Sequence, residues 1–276
     1  NTGVFEIAMN PGTPRILLAG AWPRVIRTYG RESGGPTGGI YRSTESGATW
    51  EKIKGHGLPA DPVGKIGIAF AESNPDVVYA MIETGAPNRG VLWRSDNGGE
   101  DWRLVSYDRL LNERSHYAGR ILVNTGDEDE LYFNANSHSI SYDGGLTTER
   151  SGWGGDTHDM WADPLNPDRM MISDDGGANM TFNGGETWRR VTPPIAQMYH
   201  VNVDNQIPYY VYGGKQDGSG YKGPAYSRFR GFSSSSDWES SAGCESGFIV
   251  PDPVIPEIVC RVMPASALSL SRVKPC

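Results

Sequence analysis

One short pattern recurs four times and constrains the chain more than any other feature. It appears as Ser43–Trp50 (STESGATW), Ser95–Trp102 (SDNGGEDW), Ser141–Thr148 (SYDGGLTT) and Thr181–Trp188 (TFNGGETW). A hydroxyl residue opens each copy, an Asp, Asn or Glu stands third, and Gly47, Gly99, Gly145 and Gly185 stand fifth. Trp50, Trp102 and Trp188 close three of the four. An apolar run precedes each box, as in Gly39-Ile40-Tyr41-Arg42 and Val91-Leu92-Trp93-Arg94. A short polar acceptor followed by glycine closes a tight turn, because the side chain bonds nearby backbone N–H groups and glycine accepts positive φ. Each box therefore reads as a hairpin turn, and Asn97, Asp143 and Asn183 as structural residues.

A second element precedes the boxes. Asn10-Pro11, Asn74-Pro75, Asp163-Pro164 with Asn166-Pro167, and Asp252-Pro253 each lead into a β run; Gly126–Glu130 plays the same part without proline, and Asp204–Pro208 is a further copy. The unit is strand, Pro-bearing turn, strand, strand, box turn, strand, and six such units are visible. Repeats of this length, each too small to cover its own sheet faces, stack into propellers or solenoids. The 36 Gly and 19 Pro fit that turn density, while eight Trp, 13 Tyr and seven Phe supply core volume.

The boxes resemble Asp-box (bacterial neuraminidase) repeats, and their alternation with the Pro-bearing turns resembles sortilin-like propellers and xyloglucanase-like propellers of glycoside hydrolase family 74. Segments 39–43, 64–69 and 174–179 share that likeness, which covers about residues 1–260. It implies an all-β chain: a β-propeller of four-stranded blades over 1–264, part of a seven-bladed ring, with 265–276 as a divergent tail. It also implies a secreted, periplasmic or cell-surface setting, with a further propeller domain or subunits.

The net charge of −8 and the lack of a basic run disfavour nucleic acid as a partner. No apolar run approaches the roughly 20 residues of a membrane span. No leader precedes Asn1, which suits a processed or excerpted chain. Cys244, Cys260 and Cys276 match no zinc spacing, and both a Cys244–Cys260 bridge and three free thiols stay open. No cofactor is expected.

Three clusters outside the boxes carry candidate chemistry. Gly154–Pro164 packs Asp156, His158 and Asp159 into four residues; strand alternation places Asp156 and His158 on one side and Asp159 on the other, suited to a ligand or a metal. Ser173–Ala178 holds Asp174 and Asp175 before two glycines. By its likeness to xyloglucanase-like propellers, Asp174 is the general base of a glycoside hydrolase, with Gly176 and Gly177 admitting a sugar; Asp156 or Asp159 is the partner acid, although that family usually draws its partner from a second propeller. Hydrolysis requires such a carboxyl pair about 5–9.5 Å apart. The third cluster is His200, Gln216, Asp217 and Glu245, placed to line one pocket with His158 and Asp174. Trp22, Trp153 and Trp161 are candidate platforms for a sugar. A sialidase reading fails on its arginines: Arg24, Arg27, Arg31 and Arg120 are present, but no early Arg-Ile-Pro motif is. Two functions remain: a binding module for protein, peptide or glycan, and a glycoside hydrolase-like enzyme.

Overall fold

The computed structural model describes residues 2–85, 89–193, 196–226, 235–244, 247–262 and 268–272; the side chains of 153, 154, 235, 242–244, 261, 262 and 268–272 fall outside that description. Residues 1–192 and 193–276 form two compact units.

The first unit holds four antiparallel sheets in chain order. The first contains β1 (Thr2–Met9), β2 (Leu17–Arg27), β3 (Gly30–Ser33), β4 (Gly39–Ser43) and β5 (Glu51–Lys52), with β3 a side hairpin on β2. Then follow β6 (Val63–Phe70), β7 (Val78–Thr84), β8 (Leu92–Ser95) and β9 (Arg103–Ser106); β10 (Arg120–Val123), β11 (Leu131–Asn134), β12 (Ser137–Ser141) and β13 (Glu149–Gly155); and β14 (Thr157–Asp163), β15 (Asn166–Asp174), β16 (Gly177–Thr181) and β17 (Arg189–Val191). Within each sheet the strands pair in sequence order, the meander of a propeller blade. The first strands of successive sheets pack together: β1 on β6, β6 on β10, β10 on β14. They are the inner strands, and the protein is an all-β propeller chain.

The second and third sheets bury both faces against their neighbours. On β7, Val78, Ala80 and Ile82 face the first blade with Leu18, Ile40, Ile66 and Trp93, while Tyr79 and Met81 face the third with Leu92, Leu131 and Phe133. Period-two alternation makes one strand serve two cores. A third core joins Tyr132 and Ile140 to Met160, Met170 and Ile172.

The boxes are hairpin turns between third and fourth strands. The opening hydroxyl accepts the N–H of the fifth-position glycine: Gly47 to Ser43 at 2.9 Å, Gly99 to Ser95 at 2.9 Å, Gly145 to Ser141 at 2.8 Å and Gly185 to Thr181 at 3.0 Å. Those glycines have φ between 86° and 91°, a region costly for any other residue. The third-position side chain binds the N–H four residues on, from Asp101, Thr147 and Thr187. Trp102 and Trp188 donate to Gly99 and Gly185 carbonyls.

The second unit contains β18 (Met198–Val203), β19 (Tyr210–Lys215), β20 (Ser219–Pro224) and β21 (Glu239–Cys244), then β22 (Ile249–Pro251), β23 (Ile258–Val262) and β24 (Leu268–Arg272). The six sheets of the described residues thus match the six units read from the sequence. Residues 268–272, read as part of a divergent tail, pair with β23 instead, from Ile258↔Arg272 to Val262↔Leu268. That strand lacks a box, so no motif announced it. Cys260 is a free, half-buried thiol; the side chain of Cys244 and residue 276 lie outside the described residues. Among the described residues no helix is long and apolar enough to cross a membrane.

Candidate functional site

The blades of the first unit have two unlike ends. At one end each box turn docks on the turn between the first and second strands of its own blade: Ser46 N–H bonds Arg15 C=O, Gly98 bonds Asp76, Gly144 bonds Asp129 and Gly184 bonds Asp168. The other end carries the second-to-third-strand turns and the connectors between blades. Asp156, Asp174 and Asp175 lie at this connector end.

Asp156 precedes β14 with φ of 48°, and its carboxylate is 2.5 Å from Arg114, itself at φ 52° on the connector between β9 and β10. Two non-glycine residues held at positive φ mark local strain, which collects at functional sites. His158 is the extra residue of a β-bulge between Thr157 and Asp159. The bulge turns its Nε2 to 2.5 Å from Asp175 Oδ1. The Tyr117 hydroxyl reaches the same oxygen at 3.4 Å, and the Tyr117 ring stands edge-on to His158 with centroids 5.0 Å apart. Asp156 and His158 therefore both meet the 107–119 connector, while Asp159 turns elsewhere. Similar bulges interrupt β1 at Val4/Glu6, β6 at Val63/Ile66 and β18 at Tyr199/Asn202. Bulges re-aim side chains at such rims.

Asp174 is engaged differently. Its side chain is 8% exposed; Arg190 grips both oxygens, one at 2.8 Å, and Gly176 N–H adds a bond at 2.8 Å. Burial pushes this carboxyl up, but Arg190 and the N–H groups of Gly176 and Gly177 outweigh it and hold it below the usual carboxylate range. The arrangement closes a turn and leaves Asp174 little free acceptor capacity.

Asp159 enters a cleft of about 440 Å³ walled by β1, β6, β10 and β14. Arg120 Nη1 lies 3.7 Å from Asp159 Oδ2 and 3.3 Å from Glu6 Oε1. This geometry follows from the repeat. Asn10, Asn124 and Asp163 are equivalent, each accepting the N–H two residues on through Oδ1. Glu6, Arg120 and Asp159 each stand four positions before them, so one register point on three inner strands supplies acid, base and acid. In the second blade that point is Gly67, four before Ala71. A Cβ there would meet Gly119 C=O at 2.8 Å, and its absence lets β6 and β10 close up so that Arg120 reaches Glu6. Burial pushes the Glu6 carboxyl up against the pull of Arg120. Asp159 and Trp161 are exposed, alternating with buried Met160 and Ala162, so both project into the cleft.

Trp22 is spent on packing. Its Nε1 donates to Ser33 Oγ at 2.8 Å, Arg24 lies 4.7 Å from its ring centroid, and Phe5 meets it edge-on. Lys65 is buried beside both rings, with Nζ bonded to Ala118 C=O at 2.6 Å; burial, with Arg120 and Arg24 nearby, lowers its pKa to about 8.

His200, Gln216 and Asp217 belong to the second unit. His200, at φ 51°, stacks on Phe248 at 3.8 Å. Gln216 donates to Asp217 at 3.0 Å in the β19–β20 turn. Glu245 lies outside the described residues, as does the Trp153 side chain. Among the described residues no group of three or more His, Cys, Asp or Glu is placed to hold a metal. Sequence reasoning missed Glu6, Arg120, Arg114, Tyr117 and Arg190. For Glu6 and Arg120 a signal existed: their shared spacing from the Asn or Asp of the Pro-bearing turn.

No family model matches the chain. A xyloglucanase from Paenibacillus sp is 33% identical over 116 residues, 41% of this chain and 10% of that protein. The chain resembles the family 74-like propellers. It spans about a tenth of that curated relative. Among solved structures, the GH74 enzyme of Niastella koreensis aligns with TM-score 0.45 and 16% identity over 93% of this chain and 35% of that one. YCF48 bound to D1 peptide aligns with TM-score 0.43 and 13% identity over 98% and 78%.

Proposed function

We propose that this chain is part of a ligand-binding propeller of an exported protein, and that its ligand, a peptide or a glycan, occupies the inner-strand cleft. The cleft carries the reading: about 440 Å³ of space where Asp159, Glu6, Arg120 and the half-exposed Trp161 converge from three blades. Clefts with a few convergent polar groups on an apolar wall are the usual form of a ligand site. The nominated carboxylates outside it are already engaged, Asp156 by Arg114, Asp175 by His158 and Asp174 by Arg190.

The hydrolytic alternative makes Asp174 the base and Asp156 or Asp159 the acid, and draws on the xyloglucanase relative. It is the weaker reading, because a base clamped by a guanidinium on both oxygens accepts a proton poorly. Glu6, raised by burial and sharing Arg120 with Asp159, is the better-placed acid. A combined peptide and glycan array on the purified chain tests the binding reading. Trp161→Ala is expected to weaken any hit about tenfold by removing an aromatic contact; hits that Trp161→Ala leaves unchanged place the ligand elsewhere. Release of reducing ends from xyloglucan, abolished by Asp174→Asn, would restore the hydrolytic reading.

A further inference from the structure

We propose that the cleft selects an extended peptide by one basic side chain, a lysine or arginine seated between Glu6 and Asp159; this rests on the ligand-binding reading above. The polar lining is weighted toward acceptors. Glu6, Asp159 and Glu72 line it against the single guanidinium of Arg120. Arg120 approaches Glu6 and Asp159 through the same nitrogen, so one positive charge is shared between two negative ones. The neighbouring cation, Lys65, bonds the carbonyls of Ala118 and Tyr117 and makes no ion pair with these acids, although its charge is felt at Glu6.

A second observation is independent of the acids. Asn134 lines the same cleft, is 1% exposed, and its Oδ1 has no hydrogen-bond partner. A buried acceptor left without a donor is costly, and a small turn of the Asn134 amide toward the cleft lets a ligand N–H remove that cost. Two carboxylates and an orphan carbonyl together call for a donor-rich cation, with Glu72 adding negative charge further along the same cleft.

The backbone argues for a peptide over a sugar. Among the described residues β1, β10 and β14 each pair with one neighbouring strand, and β6 pairs with β7 and adds a single bridge from Val63 to Gly35, so each is an edge strand over its cleft-lining stretch. Unpaired strand edges accept an extended peptide through main-chain bonds, with pockets choosing alternate side chains. Trp161, two residues from Asp159 on the same face, offers a ring to the aliphatic stem or the cation.

The test is fluorescence anisotropy on the purified chain with a dye-labelled Thr/Val peptide bearing one central lysine, its norleucine counterpart, and a xyloglucan oligosaccharide. The lysine peptide is expected to bind at least about tenfold more tightly than the norleucine one, an advantage that raised salt erodes. Asp159→Asn should erase that advantage with an unchanged melting temperature, since its carboxylate is exposed, and Asp159→Glu should restore part of it. Equal binding of the two peptides, or an advantage indifferent to Asp159→Asn, overturns the cation proposal while a peptide-binding propeller stands. Binding of the oligosaccharide with neither peptide bound overturns it in favour of a glycan. Silence from all three probes overturns this proposal and the ligand-binding reading together.

Discussion

The box end and the connector end of the same blades are built on opposite plans. At the box end the bonds that close each turn are local and repeat: a hydroxyl reaches four residues on, a polar side chain closes the same loop, and the turn docks on its own blade. A few bonds to the next blade, such as Asn10 to Pro75 and Arg42 to Glu100, are added to that plan. The plan repeats in four blades. At the connector end the bonds join distant residues, Arg114 with Asp156, His158 with Asp175, and Arg120 with Glu6, and no two blades share the same set. Repetition marks the scaffold, and its loss marks the end where side chains were free to diverge toward a ligand.

The sharpest way to break this comparison is at the box end. Gly145→Val puts a β-branched residue at φ 91° with its Cβ 2.3 Å from Leu92. It should cost on the order of 4 kcal/mol in urea unfolding, through backbone strain and overpacking together. If stability barely changes, the box is not a scaffold element.

Beneath the connector end, His138 is buried, and burial lowers its pKa from 6.5 to about 3. The unfolded chain then binds the proton between those values and the native one does not, so stability falls as pH drops from 6.5 towards 3. The full effect should be roughly 5 kcal/mol, and His138→Gln should flatten it in urea titrations across that window. A smaller loss, about 1–2 kcal/mol, is expected for Ser141→Ala, which strips the buried N–H of Gly145 of its acceptor. The smallest is Tyr117→Phe at the connector end: it gives up the 3.4 Å contact with Asp175 on a half-exposed ring and should stay within about 0.5 kcal/mol by thermal unfolding. A connector-end loss as large as that of Ser141→Ala would erase the contrast.

Much of the scaffold was readable because its bonds are local. Hydroxyl, acceptor and glycine at fixed spacing specify a turn without outside partners, and the four units they punctuate are the four sheets of residues 1–192; the remaining two sheets of the described residues follow from the Pro-bearing turns alone. The strand at 268–272 escaped notice because pairing with β23 needs no motif. At the candidate site strand alternation already set Asp156 and His158 apart from Asp159 within the run 156–159, but it could not name the partner each would meet. A single bulge at His158 parts that run, sending His158 to Asp175 and Asp159 to Arg120.

By itself, then, the sequence determined the blade: turn chemistry and strand alternation act over a few residues, and each copy repeats them. Only the tertiary structure decided which blades bring which side chains together. Glu6, Arg120 and Asp159 lie more than a hundred and fifty residues apart from end to end, and they share one cleft because stacked blades superimpose equal register points and Gly67 leaves one of those points empty.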